Sequence, residues 1–203
     1  MFTSSSTNQY TAHAKTLLAQ AKACLKENKW DFVTSKHDTH LFKQTIDGSS
    51  FPRYFTKSTI KKPMEQVVDL IWKNNEDGAK RNDQSVIDWR VVESGENYRV
   101  CSQHNEMSWP IWNRHIVFAQ VKFVEKEATY VVAFSVDHPD VKNETDTVRG
   151  KLNMSVYEFI PNSLNSTTVR LVVHFDPCGT IPVYIVNLFT GNMVEKFNRW
   201  NSN

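Results

Sequence analysis

The sequence has few of the residues that build disulfide frameworks, zinc knuckles or phosphate loops. It contains three isolated cysteines with no CxxC pair, and its six glycines form no glycine-rich loop. These shortages argue against a disulfide scaffold, a zinc knuckle and a nucleotide-binding loop. We expect Cys24, Cys101 and Cys178 to be free thiols, mostly buried, and we expect neither a metal ion nor a cofactor.

Charge of one sign and long apolar runs are also scarce. The net charge is +2, without the concentrated basic face that phosphate binding needs, which argues against a nucleic-acid partner. No apolar run approaches the length of a membrane span, and the opening MFTSSSTNQY lacks the apolar core of a signal peptide. We therefore expect a cytoplasmic protein, and we expect it to be a monomer.

What the sequence does contain is enough apolar material for one sizeable core. Hydrophobic residues make up 40% of its 203 residues, and 24 are aromatic. Residues 1–8 are polar and are expected to be flexible, and residues 9–203 are expected to form a single domain. Apolar residues at spacings of three and four predict a first helix from about residue 9 to 28.

The order of the remaining patterns indicates an α+β fold. Residues 30–60 predict a strand pair or so, and Pro63 suits the first turn of a helix running to about residue 74. The polar stretch that follows has room for a second short helix. Five strand candidates then follow one another with short connections, which favours an antiparallel sheet; they are YRVCSQHNEM, RHIVFAQVKFVE, TYVVAFSVD, VRGKLNMSVYEFIP and STTVRLVVHFD.

The last helix, predicted from about residue 181 to 199, is unusually apolar. Ile181, Tyr184, Ile185, Leu188 and Phe189 form one face, and the first two turns are apolar nearly all round. That is too much for a helix with one side in water. Two interpretations fit: a core helix packed into a concave sheet, or a lid over an apolar cavity. The basic and Trp side chains near its end, Lys196, Arg199 and Trp200, would suit a membrane interface.

Three segments resemble the START family of lipid-transfer domains. WPIWNRHIVFAQ (109–120) is similar to the family's Pro-x-x-Asn-Arg-Asp strand entry, and VRGKLNMSVYEFIP (148–161) to its Arg-rich strand. HFDPCGTIPVYIVN (174–187) resembles the Asp-Pro-x-Gly-x-Ile-Pro signature before the last helix. The first segment is nearest to the phosphatidylcholine-transfer and ceramide-transfer subgroup. The resemblance implies a helix-grip fold, in which a curved antiparallel sheet wraps the long carboxy-terminal helix and encloses a lipid cavity.

The resemblance also directs the choice of binding residues. The candidate charged contacts are Arg81, Arg114 and Arg149. The candidate apolar and aromatic lining residues are Trp109, Leu152, Met154, Tyr157, Phe175, Tyr184, Ile185, Leu188 and Phe189. Strand alternation separates Leu152 and Met154 from Tyr157, and the apolar set is the one expected inside. The family's Arg-x-x-Trp-Asp motif is incomplete at residues 81–85, which leaves the ligand open among phospholipid, sphingolipid, sterol and fatty acid.

The function implied by the resemblance is to bind one lipid and transfer it between membranes, with transient contact at the membrane surface. The alternative is a lipid sensor that does not transport. An enzyme on the same fold is a third reading. His174 and Asp176 could pair on one strand face as a base and its orienting group, but no nucleophile lies nearby in sequence and no GxSxG motif occurs. We therefore expect no catalytic residues.

Overall fold

The structure is a computed structural model that describes residues 4–27, 29–107, 109, 111–181 and 183–202, with the side chains of residues 4–8 and 183–190 left out. The helices are α1 (Ser4–Cys24), α2 (Met64–Trp72), α3 (Glu76–Asn82) and α4 (Val183–Ser202). The strands are β1 (Asp31–Lys36), β2 (Thr39–Gln44), β3 (Arg53–Ile60), β4 (Val86–Ser94), β5 (Tyr98–Asn105), β6 (Asn113–Val124), β7 (Thr129–Ser135), β8 (Thr147–Arg149), β9 (Lys151–Ser163) and β10 (Ser166–Asp176).

The strands form one curved sheet in the order β1-β2-β3-β10-β9-β7-β6-β5-β4, with antiparallel neighbours throughout this path. The short β8 pairs with the start of β6 in parallel. This architecture confirms the predicted α+β fold. None of the described helices has the length and apolar character that crossing a membrane requires.

The two faces of the sheet carry different layers. Helix α1 packs on the outer face through Ala14, Leu17, Leu18 and Ala21, against apolar side chains of β5, β6, β7 and β9. Helices α2, α3 and α4 lie on the concave face, where Phe197 and Trp200 of α4 are buried against β9 and α2. The helix-grip arrangement that the resemblance implied is therefore present.

Two elements differ from the sequence prediction. The segment VIDWRVVES, whose first four residues we placed in the polar stretch, forms edge strand β4. Charged residues are common on edge strands, and Asp88, Arg90 and Glu93 interrupt the alternation of apolar and polar residues that would indicate a strand. The predicted strand of residues 148–161 is divided at Gly150 into β8 and β9.

The DPCG turn between β10 and α4 is stabilised by the side chain of Asp176, within the turn, and by the side chain of Arg114, on β6. Asp176 Oδ1 accepts a 2.7 Å hydrogen bond from the Cys178 amide. Cys178 and Gly179 both adopt positive φ, +52° and +68°, a conformation that glycine enters without steric cost. The turn thus redirects the chain from the sheet edge onto the concave face.

Two glycine-to-alanine substitutions should have opposite effects. Gly179→Ala should lower the free energy of unfolding by about 1–2 kcal/mol, because a Cβ disfavours positive φ. Gly191→Ala should raise it by up to about 1 kcal/mol, because Gly191 lies within α4 and no described group beyond the helix's own backbone lies within 4 Å of a new Cβ. Equilibrium urea unfolding of both variants measures the pair, and equal effects would contradict the turn geometry.

Candidate functional site

A cavity of about 290 Å³ lies on the concave face, between the sheet and helices α2, α3 and α4. Strands β3 to β7, β9 and β10 all contribute to its wall. The described lining residues are Phe51, Tyr54, Ile71, Asn74, Ala79, Asn82, Asp83, Ser85, Val86, Trp89, Gln103, Asn105, Met107, Arg114, Ile116, Phe118, Gln120, Ala133, Leu152, Ser155, Tyr157, Leu171, Val173, Phe175, Pro177, Asn192, Met193 and Lys196.

A β-bulge determines which residues of β9 face this cavity. His174 pairs with Met154, but Phe175 pairs with Leu152, so Asn153 is the extra residue. The bulge places Leu152 on the same face as Ser155 and Tyr157, and all three line the cavity. The prediction that Leu152 and Met154 share the inner face was therefore wrong for Met154, which packs with α1 on the outer face.

One end of the cavity carries a connected set of uncharged polar groups. Gln103 Nε2 donates to Asn105 Oδ1 at 2.9 Å, and Asn105 Nδ2 donates to Ser85 Oγ at 2.8 Å. The Ser85 hydroxyl donates to Asp83 Oδ1 at 2.8 Å. Each group is held in place by the next, so this end of the cavity presents ordered amide and hydroxyl groups.

The two cations of the lining are already engaged by protein groups. Lys196 Nζ donates to the Tyr157 hydroxyl at 2.5 Å and lies over the rings of Tyr157 and Trp200. Arg114, only 2% exposed, donates from Nε to Pro177 O at 2.6 Å, from Nη2 to Cys178 O at 3.0 Å, and from Nη1 to Trp112 O. Burial lowers the pKa of Arg114, but a guanidinium remains charged at neutral pH.

A third cation, Arg99, is hydrogen-bonded to residues that line the cavity. Arg99 is buried and donates from Nε to Gln120 Oε1 at 2.7 Å. Its Nη2 donates to Ile71 O at 2.6 Å and its Nη1 to Asn74 O at 3.2 Å, at the carboxy-terminal end of α2. Burial also lowers the pKa of Arg99. A cation is favourable at a helix carboxy terminus, so Arg99 fixes α2 and the side chain of Gln120 together.

The structure brings four of the predicted site residues to the cavity and places four elsewhere. Arg114, Leu152, Tyr157 and Phe175 line it. Of the others, Arg81 is exposed on α3, Trp109 is 93% exposed, and Met154 lies on the outer face. Arg149 pairs with His115 of β6 and faces outward, where Asn143 Oδ1 accepts from its Nη2 at 2.9 Å. The side chains of Tyr184, Ile185, Leu188 and Phe189 lie outside the described residues.

The end of α4 also departs from the membrane-interface interpretation. Trp200 is buried, and its Nε1 donates to Asn82 Oδ1 at 2.7 Å. Arg199 donates to the backbone carbonyls of Arg81 and Asn82, at 3.1 and 2.7 Å. These side chains attach α4 to α3. Amphipathic side chains suit a protein interface as well as a membrane interface, so their presence does not by itself indicate a membrane contact.

Several residues that line the cavity were not among the candidates chosen from the sequence. Trp89, Gln103, Asn105 and Gln120 alternate with outward-facing residues along β4, β5 and β6, so period-two patterning was the available signal. That signal gives two sets of residues but does not say which set faces the concave side.

The structure brings a serine to His174 that the sequence did not predict. Ser49 Oγ lies 3.0 Å from His174 Nε2. The Ser49 hydroxyl donates to Phe51 O at 2.9 Å, so His174 is placed to donate to Ser49. Asp176 Oδ1 accepts from the Cys178 amide. This hydrogen-bond direction is the reverse of what activation of a serine nucleophile requires.

Two exposed tryptophans lie next to the cavity. Trp109 and Trp112 are 93% and 58% exposed in the connection between β5 and β6. Met107 lies in this connection and Arg114 lies just after it in β6, and both residues line the cavity. Large exposed aromatics grouped beside a cavity indicate an interaction surface.

Comparisons with known proteins agree on one family and one fold. The START domain model matches residues 12–202. Human StAR-related lipid transfer protein 5 has a TM-score of 0.84 at 14% identity, covering 96% of each chain. Human STARD10 has a TM-score of 0.78 at 18% identity, covering 91% of this chain and 78% of that one. The human StarD13 lipid transfer and protein localization domain has a TM-score of 0.74 at 18% identity, covering 91% and 93%. No curated protein sequence matches the chain.

Proposed function

This chain belongs to the START domain family, and we propose that it carries one compact lipid in the cavity on the concave face. Membership of this family is consistent with lipid binding and transfer in general. The proposal depends above all on one observation: an apolar cavity with a small, ordered polar end lies under the carboxy-terminal helix. Such cavities, with few convergent polar groups, are the usual form of small-molecule sites.

The cavity volume favours a compact guest. A cavity of about 150 Å³ accepts a benzene ring, and this one measures about 290 Å³. A two-chain phospholipid or sphingolipid, with roughly 30 methylenes, would require a much larger cavity. A sterol or a single-chain fatty acid is therefore the better fit among the four lipid classes that the sequence left open.

The polar end favours an uncharged head group. Lys196 and Arg114 already bind protein oxygens, and Asp83 already accepts from Ser85. Gln103 and Asn105 offer amide groups that match a hydroxyl. A bilayer shelters the apolar part of a lipid almost as well as the cavity does, so the polar contacts must provide the selectivity.

Native mass spectrometry after incubation with mixed liposomes tests this proposal. The liposomes should contain equal amounts of a sterol, a fatty acid, a sphingolipid and a phospholipid. We expect one sterol molecule to remain bound per chain, because a sterol carries a hydroxyl whereas the carboxyl of a fatty acid is ionised at neutral pH. Retention of a two-chain lipid would contradict the proposed size, and retention of no lipid would contradict the carrier function itself.

We further propose that Trp109 and Trp112 contact the membrane during transfer. Tryptophan prefers the interface between water and hydrocarbon, and both indoles are exposed beside the cavity. Contact at this place would shorten the path of the lipid through water. A cytoplasmic protein that binds membranes only transiently needs no stronger anchor.

The double variant Trp109→Ala/Trp112→Ala should slow lipid transfer between vesicles by roughly tenfold, because it removes both interfacial side chains. Its affinity for lipid and its free energy of unfolding should stay unchanged, since neither side chain is buried. The matched control is Leu164→Ala, an exposed apolar residue between β9 and β10. Fluorescence transfer assays measure the rates, and equal slowing by the control would argue against a defined contact surface. A sensor, by contrast, would bind lipid without accelerating exchange in any variant.

A further inference from the structure

A second cluster of polar side chains lies on the outer face of the sheet, opposite the cavity. His104 of β5 and His115 of β6 are paired in register, and their rings stack with centroids 3.9 Å apart. Glu144, from the connection between β7 and β8, reaches this pair. One ligand atom from each of the three residues lies within 4.8 Å of the other two.

His104 lies between two carboxylates. Its Nδ1 is 3.2 Å from Asp88 Oδ2, and its Nε2 is 3.0 Å from Glu144 Oε2. A neutral imidazole has one N–H and one lone pair, so it can donate to only one of these oxygens. The lone pair and the second carboxylate oxygen repel each other unless a positive charge lies between them. The geometry therefore calls for a cation at this place.

His115 supplies a further unused ring nitrogen. The residue is 1% exposed, and its Nε2 lies 2.8 Å from Ser102 Oγ. Its Nδ1 is buried without a hydrogen-bond partner among the described residues. An unpaired buried nitrogen costs free energy, and a bound ion would recover that cost.

We propose that His104, His115 and Glu144 bind one divalent transition-metal ion of the Zn²⁺ type. Two imidazoles and one carboxylate form a known zinc ligand set that leaves a fourth position for water. Asp88 and Ser102 contact the other ring nitrogens, as the partners that orient metal-binding histidines usually do.

The surrounding charges are compatible with a cation. Arg149 lies beside His115, but its guanidinium donates to Asn143. Asp88, Asp137 and Glu144 carry three negative charges near the site, against the two positive charges of Arg149 and Arg90. A bound ion would attach the connection of residues 136–146 to β5 and β6. The two rings are stacked, so binding of both to one ion turns one ring out of the stack.

Zinc titration of chelator-treated protein, in competition with a chromophoric chelator, tests the site. We expect one Zn²⁺ per chain, and we expect His104→Gln and Glu144→Gln each to weaken binding by at least about tenfold. His40→Gln is the matched control, because His40 is an exposed strand histidine, and it should bind Zn²⁺ as the parent does. Co²⁺ should give the visible absorption of a coordinated ion in the parent and the control alone.

Glu144→Gln keeps the test valid if His104→Gln does not fold, since the Glu144 side chain is half exposed. The histidine resonances of the parent protein give a second measurement that needs no variant: Zn²⁺ should shift the ring signals of His104 and His115. Unchanged ring signals, or equal zinc affinity in parent and Glu144→Gln, would overturn the proposal.

Discussion

Replacement of Arg114 by Met should lower the free energy of unfolding by about 3 kcal/mol. The guanidinium donates to the carbonyls of Pro177, Cys178 and Trp112, and it is almost completely buried. Removal of a charged donor leaves buried carbonyls unsatisfied, at a cost of about 1–3 kcal/mol each, offset by relief of the cost of burying the charge. Equilibrium urea denaturation measures the loss.

The same substitution separates two roles for Arg114. If it holds the DPCG turn, Arg114→Met should release every lipid faster, whatever its head group. If it instead binds a lipid head group, as the family resemblance implied, only acidic lipids should lose affinity and stability should hardly change. Arg114→Lys should restore less than half of the stability, because an ammonium cannot reach three carbonyls in a fork geometry. Arg90→Met, at an exposed position on β4, is the control and should change stability by less than about 0.5 kcal/mol.

Replacement of Ser155 by Phe should abolish lipid binding while the protein stays folded. Ser155 is buried, lines the cavity, and pairs with Ala133 of β7 and Val173 of β10, which line it too. A phenyl ring would occupy the space proposed for the lipid, so affinity should fall by more than about tenfold. The free energy of unfolding should stay level or rise, because the ring fills an existing void.

Ser163→Phe provides the matched control for this experiment. It places the same side chain at the exposed end of β9 and should leave lipid binding unchanged. Lipid retention is read by native mass spectrometry and stability by thermal unfolding. If Ser155→Phe does not fold, Ala133→Leu tests the same space from β7. Undiminished lipid binding by a folded, cavity-filled variant would place the lipid elsewhere.

Local patterns were sufficient to predict most elements of the fold. Period-three-and-four spacing marked α1 and α2, and alternation marked most strands, because both depend on neighbours in sequence. Strand β4 was missed because three charged residues, Asp88, Arg90 and Glu93, interrupt the apolar pattern of this edge strand. The overall α+β architecture followed from element order alone.

The candidate site was harder to predict because it depends on contacts distant in sequence. Arg114 was named as a candidate contact and does line the cavity, but two of its three carbonyl partners lie more than 60 residues away in a turn. Met154 was misplaced because a single bulge residue, Asn153, interrupts strand alternation, and nothing in the local pattern marks it. The polar end formed by Gln103 and Asn105 became visible only once the curvature of the sheet assigned an inner face.

The carboxy-terminal end of α4 is joined to its neighbours by side-chain hydrogen bonds. At the distal end, Trp200 bonds to Asn82, and Asn201 bonds to both Thr59 and Lys61, at 2.7 to 3.0 Å. These bonds connect α4 to α3 and to the end of β3, so separation of the helix from the sheet requires all of them to break together.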